Sequence, residues 1–178
     1  MKNVLIISTS LRGGSNSELL AKECAKGAEE AGNRVELLSL KGKKIQYCIG
    51  CLACIKTGKC VQKDDAPEIM EKLRQADVLV IASPVYFYGL SAQLKAVIDR
   101  LHTPMRNTFP IRKLALLLVG GAELPELFDS ILVQYRLALN FFHLEDAGQV
   151  LVRGVRDRND IQGNPALDEA RALGRSMR

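Results

Sequence analysis

The sequence predicts a three-layer α/β sandwich on a five-stranded parallel sheet of strand order 2-1-3-4-5. Three observations lead there. Runs such as Val78-Leu79-Val80-Ile81-Ala82 and KLALLLV (113–119) are apolar without alternation, as in strands buried on both faces of a parallel sheet. Segments of helical period separate the strands, so each strand returns through a helix, in right-handed crossovers. The unusual residues then gather in loops that follow strands: hydroxyls after the first, aromatics after the third, glycines after the fourth. With no repeat, low-complexity stretch or Pro/Gly linker, residues 1–178 read as a single domain.

Lys2 to Ile7 is the first strand. A helix from about Ser17 to Ala31 buries Leu20, Cys24, Ala28 and Ala31, and Gly32-Asn33 ends it. Val35 to Leu40 is the second strand, placed near a sheet edge by Glu36 and Ser39. Residues 41–65 form a cysteine-rich insertion loop. Asp65, Pro67 and Glu68 start the next helix, with Ile69, Leu73 and Ala76 inward. After the third strand a helix carries Leu90, Leu94, Val97, Ile98 and Leu101 on one face, and Lys95, Asp99 and Arg100 on the other. Lys113 to Val119 is the fourth strand. Pro125 lies in the first turns of a helix to about Phe142, His143 to Val152 is the fifth strand, and Asn164-Pro165 caps a last helix with Leu167, Ala170 and Leu173 inward. His102 and His143 lie beside element ends with no acidic or nucleophilic companion, so both read as structural.

Two loops carry ligand chemistry. The first, Ser8-Thr9-Ser10-Leu11-Arg12-Gly13-Gly14-Ser15-Asn16-Ser17, joins a strand to a helix. The first N–H groups of a helix have no intrahelical partner, and its dipole favours an anion there. Ser8, Ser10, Ser15, Asn16 and Ser17 can add donors, and Arg12 a charge, so the loop suits a phosphate. It is neither a Walker loop nor a G-x-G-x-x-G motif. A plain N-cap, with Ser15 and Glu18 as a capping box, also accounts for it. The second loop, Pro84-Val85-Tyr86-Phe87-Tyr88-Gly89, places three consecutive aromatics in a chain with four Tyr, five Phe and no Trp. Plugging of the sheet end would explain them; a flat aromatic ligand explains them better. The strand order brings both loops to one edge, at the switch point between strands 1 and 3. Flavin mononucleotide, FMN, has both a phosphate and a flat ring.

Composition narrows the classes further. Apolar residues make up 47% and charged residues 25%, as in ordinary soluble domains. The net charge of +5 leans toward an acidic small molecule or acidic protein partner. No aromatic-and-basic signature marks nucleic-acid binding, and Arg153, Arg156 and Arg158 read as a solvated face. No signal peptide or membrane span is visible, which leads us to expect a cytoplasmic protein. Structural disulfides are rare there, so five cysteines ask for another explanation. Four of them, Cys48, Cys51, Cys54 and Cys60, have the spacing C-x2-C-x2-C-x5-C in a long loop. This matches the opening of a bacterial ferredoxin run, and Gly50 and Gly58 permit tight turns around a cluster. Zinc and unmetallated thiols are the other readings; zinc sites usually separate two ligand pairs more widely. Cys24 reads as a small buried hydrophobe.

STSLRGGSNS, SPVYFYGLSAQLKAVIDR, the four-cysteine loop and the GNPALDEARALG ending together resemble the iron–sulfur flavoprotein family, within the NADPH-dependent FMN reductase group of flavodoxin-like fold. The resemblance implies FMN held by the first loop, the aromatic loop and the turn at Gly120-Gly121. It implies a [4Fe-4S] cluster on Cys48, Cys51, Cys54 and Cys60, a homo-dimer or homo-tetramer, and electrons passing from ferredoxin through the cluster to FMN and on to an acceptor. The residues would divide the work. Ser10, Arg12, Ser15, Asn16 and Ser17 would hold the phosphate. Backbone N–H groups between Pro84 and Gly89 would meet the ring edge, Tyr86, Phe87 and Tyr88 would shape and dry it, and Gly120 and Gly121 would allow close approach from the other side. The cysteines act as ligands, and no protein group is expected to be catalytic. The alternative is a cluster-free FMN or quinone reductase using NAD(P)H. A third class is a non-enzymatic electron carrier or metal-stabilised binding protein.

Overall fold

Parallel strands in the order β2-β1-β3-β4-β5 form the centre of the computed structural model, which describes residues 1–177. They are β1 (Asn3–Ser8), β2 (Arg34–Ser39), β3 (Val78–Pro84), β4 (Lys113–Val119) and β5 (Glu145–Val152). The helices are α1 (Asn16–Glu30), α2 (Ala53–Thr57), α3 (Ala66–Arg74), α4 (Ala92–Arg100), α5 (Asp129–Phe142) and α6 (Ala166–Ser176). Fold class and strand order are those expected from the sequence. Val4 faces Val35 on one side and Val78 on the other, and Val78 in turn faces Lys113.

Side chains alternate across a strand, so each central strand supplies two cores. Val4, Ile6, Val78, Val80, Ala115 and Leu117 pack under α1 and α6. Leu5, Ile7, Leu114, Leu116 and Leu118 face the other way, toward α3, α4 and α5. Every residue from Leu114 to Val119 is buried, which is why β4 shows no polar alternation. At the edge, β2 keeps only Leu38 buried, as Glu36 and Ser39 indicated. Cys24 lies in the α1 core, where burial pushes its thiol up to about 12.

Several boundaries shift from expectation, for local reasons. α1 starts at Asn16 and ends at Glu30, and Ala31 is half-buried at its C-cap. Pro125–Phe128 is a separate 3-10 turn ahead of α5. His143 is not in β5; at φ 53° it closes α5 in the left-handed region. Asp65 stands at the N-cap of α3, but Asp64 Oδ1 accepts from Ala66 N at 3.1 Å instead. The polar face expected of α4 is also corrected: Arg100 is buried, whereas Ile98 is exposed.

α1 and α6 lie almost backbone to backbone. A Cβ on Gly27 would stand 1.9 Å from the Arg171 carbonyl oxygen, and one on Gly174 would stand 2.1 Å from that of Cys24. Ala would otherwise be the better helix former by about 1 kcal/mol. Because the obstacle is backbone, Gly27→Ala is expected to destabilise the fold by about 1–3 kcal/mol. The check is the midpoint of urea unfolding; an unchanged or raised midpoint would mean that the two helices separate freely.

Candidate functional site

The site is built at the carboxyl ends of β1, β3 and β4. After β1 the chain stays buried through Ser10, and Leu40 N donates to Ser8 O while Thr9 N donates to Ala82 O, both at 2.9 Å. Ser8 Oγ and Thr9 Oγ1 are buried without a hydrogen-bond partner among the described residues. Buried hydroxyls without partners are rare and call for an acceptor or donor from outside the chain. Ser10 Oγ accepts from Arg12 N at 3.3 Å, which turns the loop. Ser15 caps α1, accepting from Glu18 N at 3.3 Å, and lies 3.4 Å from Ser17 Oγ. The capping box extends by one residue: Glu18 Oε2 accepts from Gly14 N at 2.7 Å. The N–H groups of Asn16 and Ser17 therefore remain as helix-end donors.

The side chain of Asn16 is engaged elsewhere. Its Nδ2 donates to Asp157 O at 2.7 Å, and its Oδ1 accepts from Ile161 N at 3.4 Å. It ties the loop to the segment before α6. That tie brings in Arg158, while Lys41 reaches the same loop from the end of β2. Arg158 Nη2 lies 2.8 Å, and Lys41 Nζ 2.9 Å, from where Cβ atoms on Gly14 and Gly13 would stand. Arg158 is thus not merely part of a solvated face. The only sequence signal for it was its place in a late basic group, which says nothing about the loop it meets.

The aromatic loop is a tight, strained turn. Tyr86 and Gly89 exchange both backbone hydrogen bonds at 3.0 Å, and Val85 N donates to Val119 O at 2.9 Å. The two central residues, Phe87 and Tyr88, have φ 47° and 60°. Such turns ordinarily carry Asn-Gly, since bulky side chains are disfavoured at positive φ. The rings of Tyr86, Phe87 and Tyr88 nevertheless stand in solvent, and Ser130 Oγ of α5 donates to Tyr88 O. Strained backbone of this kind clusters at functional sites. Behind it Ser83 and Ser91 are fully buried; Ser91 caps α4.

Gly120 and Gly121 answer first to the chain's own packing. A Cβ on Gly120 would lie 2.5 Å from Leu127 Cδ2, and one on Gly121 3.3 Å from Arg156 Cβ. Gly120 also bonds on both sides, from its N to Val152 O and from Val155 N to its O.

Cys48, Cys51, Cys54 and Cys60 line one cavity of about 110 Å³ together with Gly50 and His102. His102 thus joins the cysteine wall, although it had no companion in sequence. Leu52 (φ 57°) flanks the five-residue α2 on one side and Gly58 (φ 72°) on the other, folding the loop back. Cys54 is half-buried and the other three are exposed. Among the described residues, no three His, Cys, Asp or Glu side chains stand close enough to hold a metal ion as they lie. The neck of the loop is tied. Lys44 N donates to Asp65 Oδ2, Gln46 N to Asp64 Oδ2, and Arg100 makes a two-pronged pair with Asp64, at 2.6 and 3.2 Å. Burial would raise the Asp64 carboxyl; hydrogen bonds from Arg100, Gln46 N and Ala66 N outweigh it and leave its pKa lowered.

Among the described residues no helix is long and apolar enough to cross a membrane. Residues 2–145 match the family model described as NADPH-dependent FMN reductase. An iron-sulfur flavoprotein of Methanocaldococcus jannaschii is 43% identical over 119 residues, covering 67% of this chain and 59% of that relative. One from Archaeoglobus fulgidus is 39% identical over 101 residues, covering 57% of this chain and 46% of the relative. The chain thus spans about half the length of the curated relatives it matches. Among solved structures, an NAD(P)H:quinone oxidoreductase from Methanothermobacter marburgensis superposes with a TM-score of 0.78 at 20% identity, over 99% of this chain and 96% of that one. That likeness is one of fold.

Two outcomes follow from the geometry. Phe87→Gly removes an exposed ring and a strained φ together, so apo stability should hold or rise by up to about 1 kcal/mol; a clear fall in the unfolding midpoint would mean that the ring packs. Asp64 has a lowered pKa, so its contribution is complete above the ordinary Asp value of about 3.9 and is lost as pH falls through the folded pKa. Acid unfolding of Asp64→Asn should therefore be less steep below about pH 4 than that of the wild type, read by circular dichroism.

Proposed function

Because the chain belongs to the NADPH-dependent FMN reductase family, we propose that it is an FMN-dependent oxidoreductase with its flavin at the edge formed by β1, β3 and β4. The observation that carries this is the pairing of orphaned buried hydroxyls with a strained aromatic turn at one switch point. Ser8, Thr9 and Ser10 offer hydroxyls, α1 offers the Asn16 and Ser17 N–H groups, and Arg12, Arg158 and Lys41 offer charge for a phosphate. Val85, Tyr86, Phe87, Tyr88 and Gly89 form the wall for the ring. The isolated position of Phe87 suits it to exclude water from the ring edge once the ring is present. FMN, when bound, supplies the redox chemistry, and the protein supplies orientation and electrostatics.

The finer reading is an iron–sulfur flavoprotein. It rests on the sequence similarity to relatives of that name and on four thiols lining one cavity. A set of four soft thiolate donors fits a [4Fe-4S] cluster. Cys48, Cys51, Cys54 and Cys60 would hold it after turning inward, on a loop whose neck is already tied. The cluster would supply one-electron exchange with a carrier such as ferredoxin. The residues 41–65 then act as an insertion loop on one flavodoxin-like domain. Val133, Leu137 and Phe141 stand exposed at successive turns of α5, which suits a homo-dimer or homo-tetramer. The description of the matched family favours one alternative, a cluster-free reductase taking electrons from NADPH.

Iron, acid-labile sulfide, zinc and flavin per chain, measured on protein purified without oxygen, test the reading. About four iron and four sulfide with one FMN are expected for this type of cluster. FMN without iron, even after reconstitution, leaves the NADPH-dependent reductase. Cys51→Ala and Cys54→Ala should abolish the iron and leave FMN bound; equal loss of FMN would show that the two sites are not separate. Phe87→Gly should weaken FMN binding about tenfold, the scale of one lost aromatic contact of roughly 1.4 kcal/mol, read by flavin fluorescence.

A further inference from the structure

We propose that Arg100 is the positioning residue of the cysteine loop, closing its neck from inside the protein so that the four cysteines stay around one cavity, needing only to turn inward to bind a metal. The inference rests on the reading of those cysteines as metal ligands.

Arg100 is the last residue of α4, and its side chain is only 4% exposed; that of its partner Asp64 is 1% exposed. A buried charge persists only when it is fully paired. Here the pairing spans the loop. Nη1 donates to Asp64 Oδ2 at 2.6 Å and to Gln46 O at 3.0 Å, while Nη2 donates to Asp64 Oδ1 at 3.2 Å. Asp64 returns the tie by accepting from Gln46 N at 2.8 Å. Both backbone groups of Gln46 are thus held, two residues before Cys48, and Asp64 lies four residues after Cys60. Beyond this neck the loop buries little: Tyr47, Ile49, Leu52, Ile55 and Val61 are all exposed, while Ala53 and Cys54 are half-buried. Closing a loop of this length costs entropy, and a permanent neck removes that cost from the metal-binding step.

Burial works against the guanidinium charge, and the hydrogen bonds to Asp64 outweigh it. Arg100 therefore acts on the site through its neighbours, as outer partners of metal ligands do. A planar fork serving two carboxylate oxygens and a carbonyl is a task Lys cannot take over.

The test is Co(II) binding to the full-length protein under anaerobic conditions, read by thiolate-to-metal absorption, with FMN affinity and urea unfolding measured alongside. Arg100→Lys is expected to weaken Co(II) about 10–100-fold, the range for an outer partner of a metal site, while FMN affinity stays within about twofold of wild type. The double variant Arg100→Met with Asp64→Leu removes both charges, so the fold survives without a stranded partner. It should show the same Co(II) loss, and faster amide exchange at Gln46 and Ala66. Wild-type binding that both variants retain in full overturns the inference alone. Equal loss of Co(II) and FMN overturns it as well, since Arg100 would then support the fold in general. A wild type that takes up neither Co(II) nor iron overturns the metal-ligand reading and this inference with it.

Discussion

A parallel sheet imposes one constraint from which the molecule's other features descend: every strand must point the same way, so each needs a crossover, and all carboxyl ends emerge along one edge. The order β2-β1-β3 adds a second consequence. The chain leaves β1 for α1 on one face and leaves β3 for α4 on the other. The loops after these strands diverge, and a crevice opens between them. Its floor is polar, although the backbone there is still paired, Leu40 N to Ser8 O and Thr9 N to Ala82 O. Ser8 and Thr9 are buried in that floor with unspent hydroxyls, which a closed structural site would not leave.

The two walls of the crevice are made differently. The first loop is shaped by local side-chain capping through Ser10, Ser15 and Glu18, and is held from behind by Asn16. Its conformation is therefore satisfied by its own hydrogen bonds. The aromatic turn is the opposite: Phe87 and Tyr88 occupy a backbone region that their side chains disfavour. It is kept there by the paired hydrogen bonds of Tyr86 and Gly89, and by Ser130 from α5. A relaxed first loop and a strained aromatic turn thus stand side by side at one edge of the sheet.

One short helix connects both chemistries. α4 begins behind the aromatic turn, capped by Ser91, and ends at Arg100 in the neck of the cysteine loop. Its nine residues span about 14 Å at helical rise. The ring wall and the thiol loop are thus mounted on the two ends of one rigid element. The cysteine loop itself has little packing of its own, and borrows its order from the charged neck.

The apolar runs of β1, β3 and β4, the helical periods between them and the loop motifs at their carboxyl ends made the fold, strand order and whereabouts of the candidate site legible from sequence, because two-sided burial and chain reversal act on neighbouring residues. Contacts that join distant segments were not legible. Arg100 reads as one more charge on a solvated helix face until Asp64, thirty-six positions away, is brought beside it. His102 has no companion until the cysteine loop folds over it, and Arg158 reads as surface until Asn16 draws its segment to the first loop. The sequence by itself determined the strands, the long helices and the loops in which the unusual residues gather, since periodicity, capping and turn propensity are local; the short helix Ala53–Thr57 and the 3-10 turn Pro104–Thr108 carried no such signal. Only the tertiary structure decided which charges are buried, which glycines are needed for close packing and which side chains meet, since those depend on partners that lie far apart along the chain and adjacent in space.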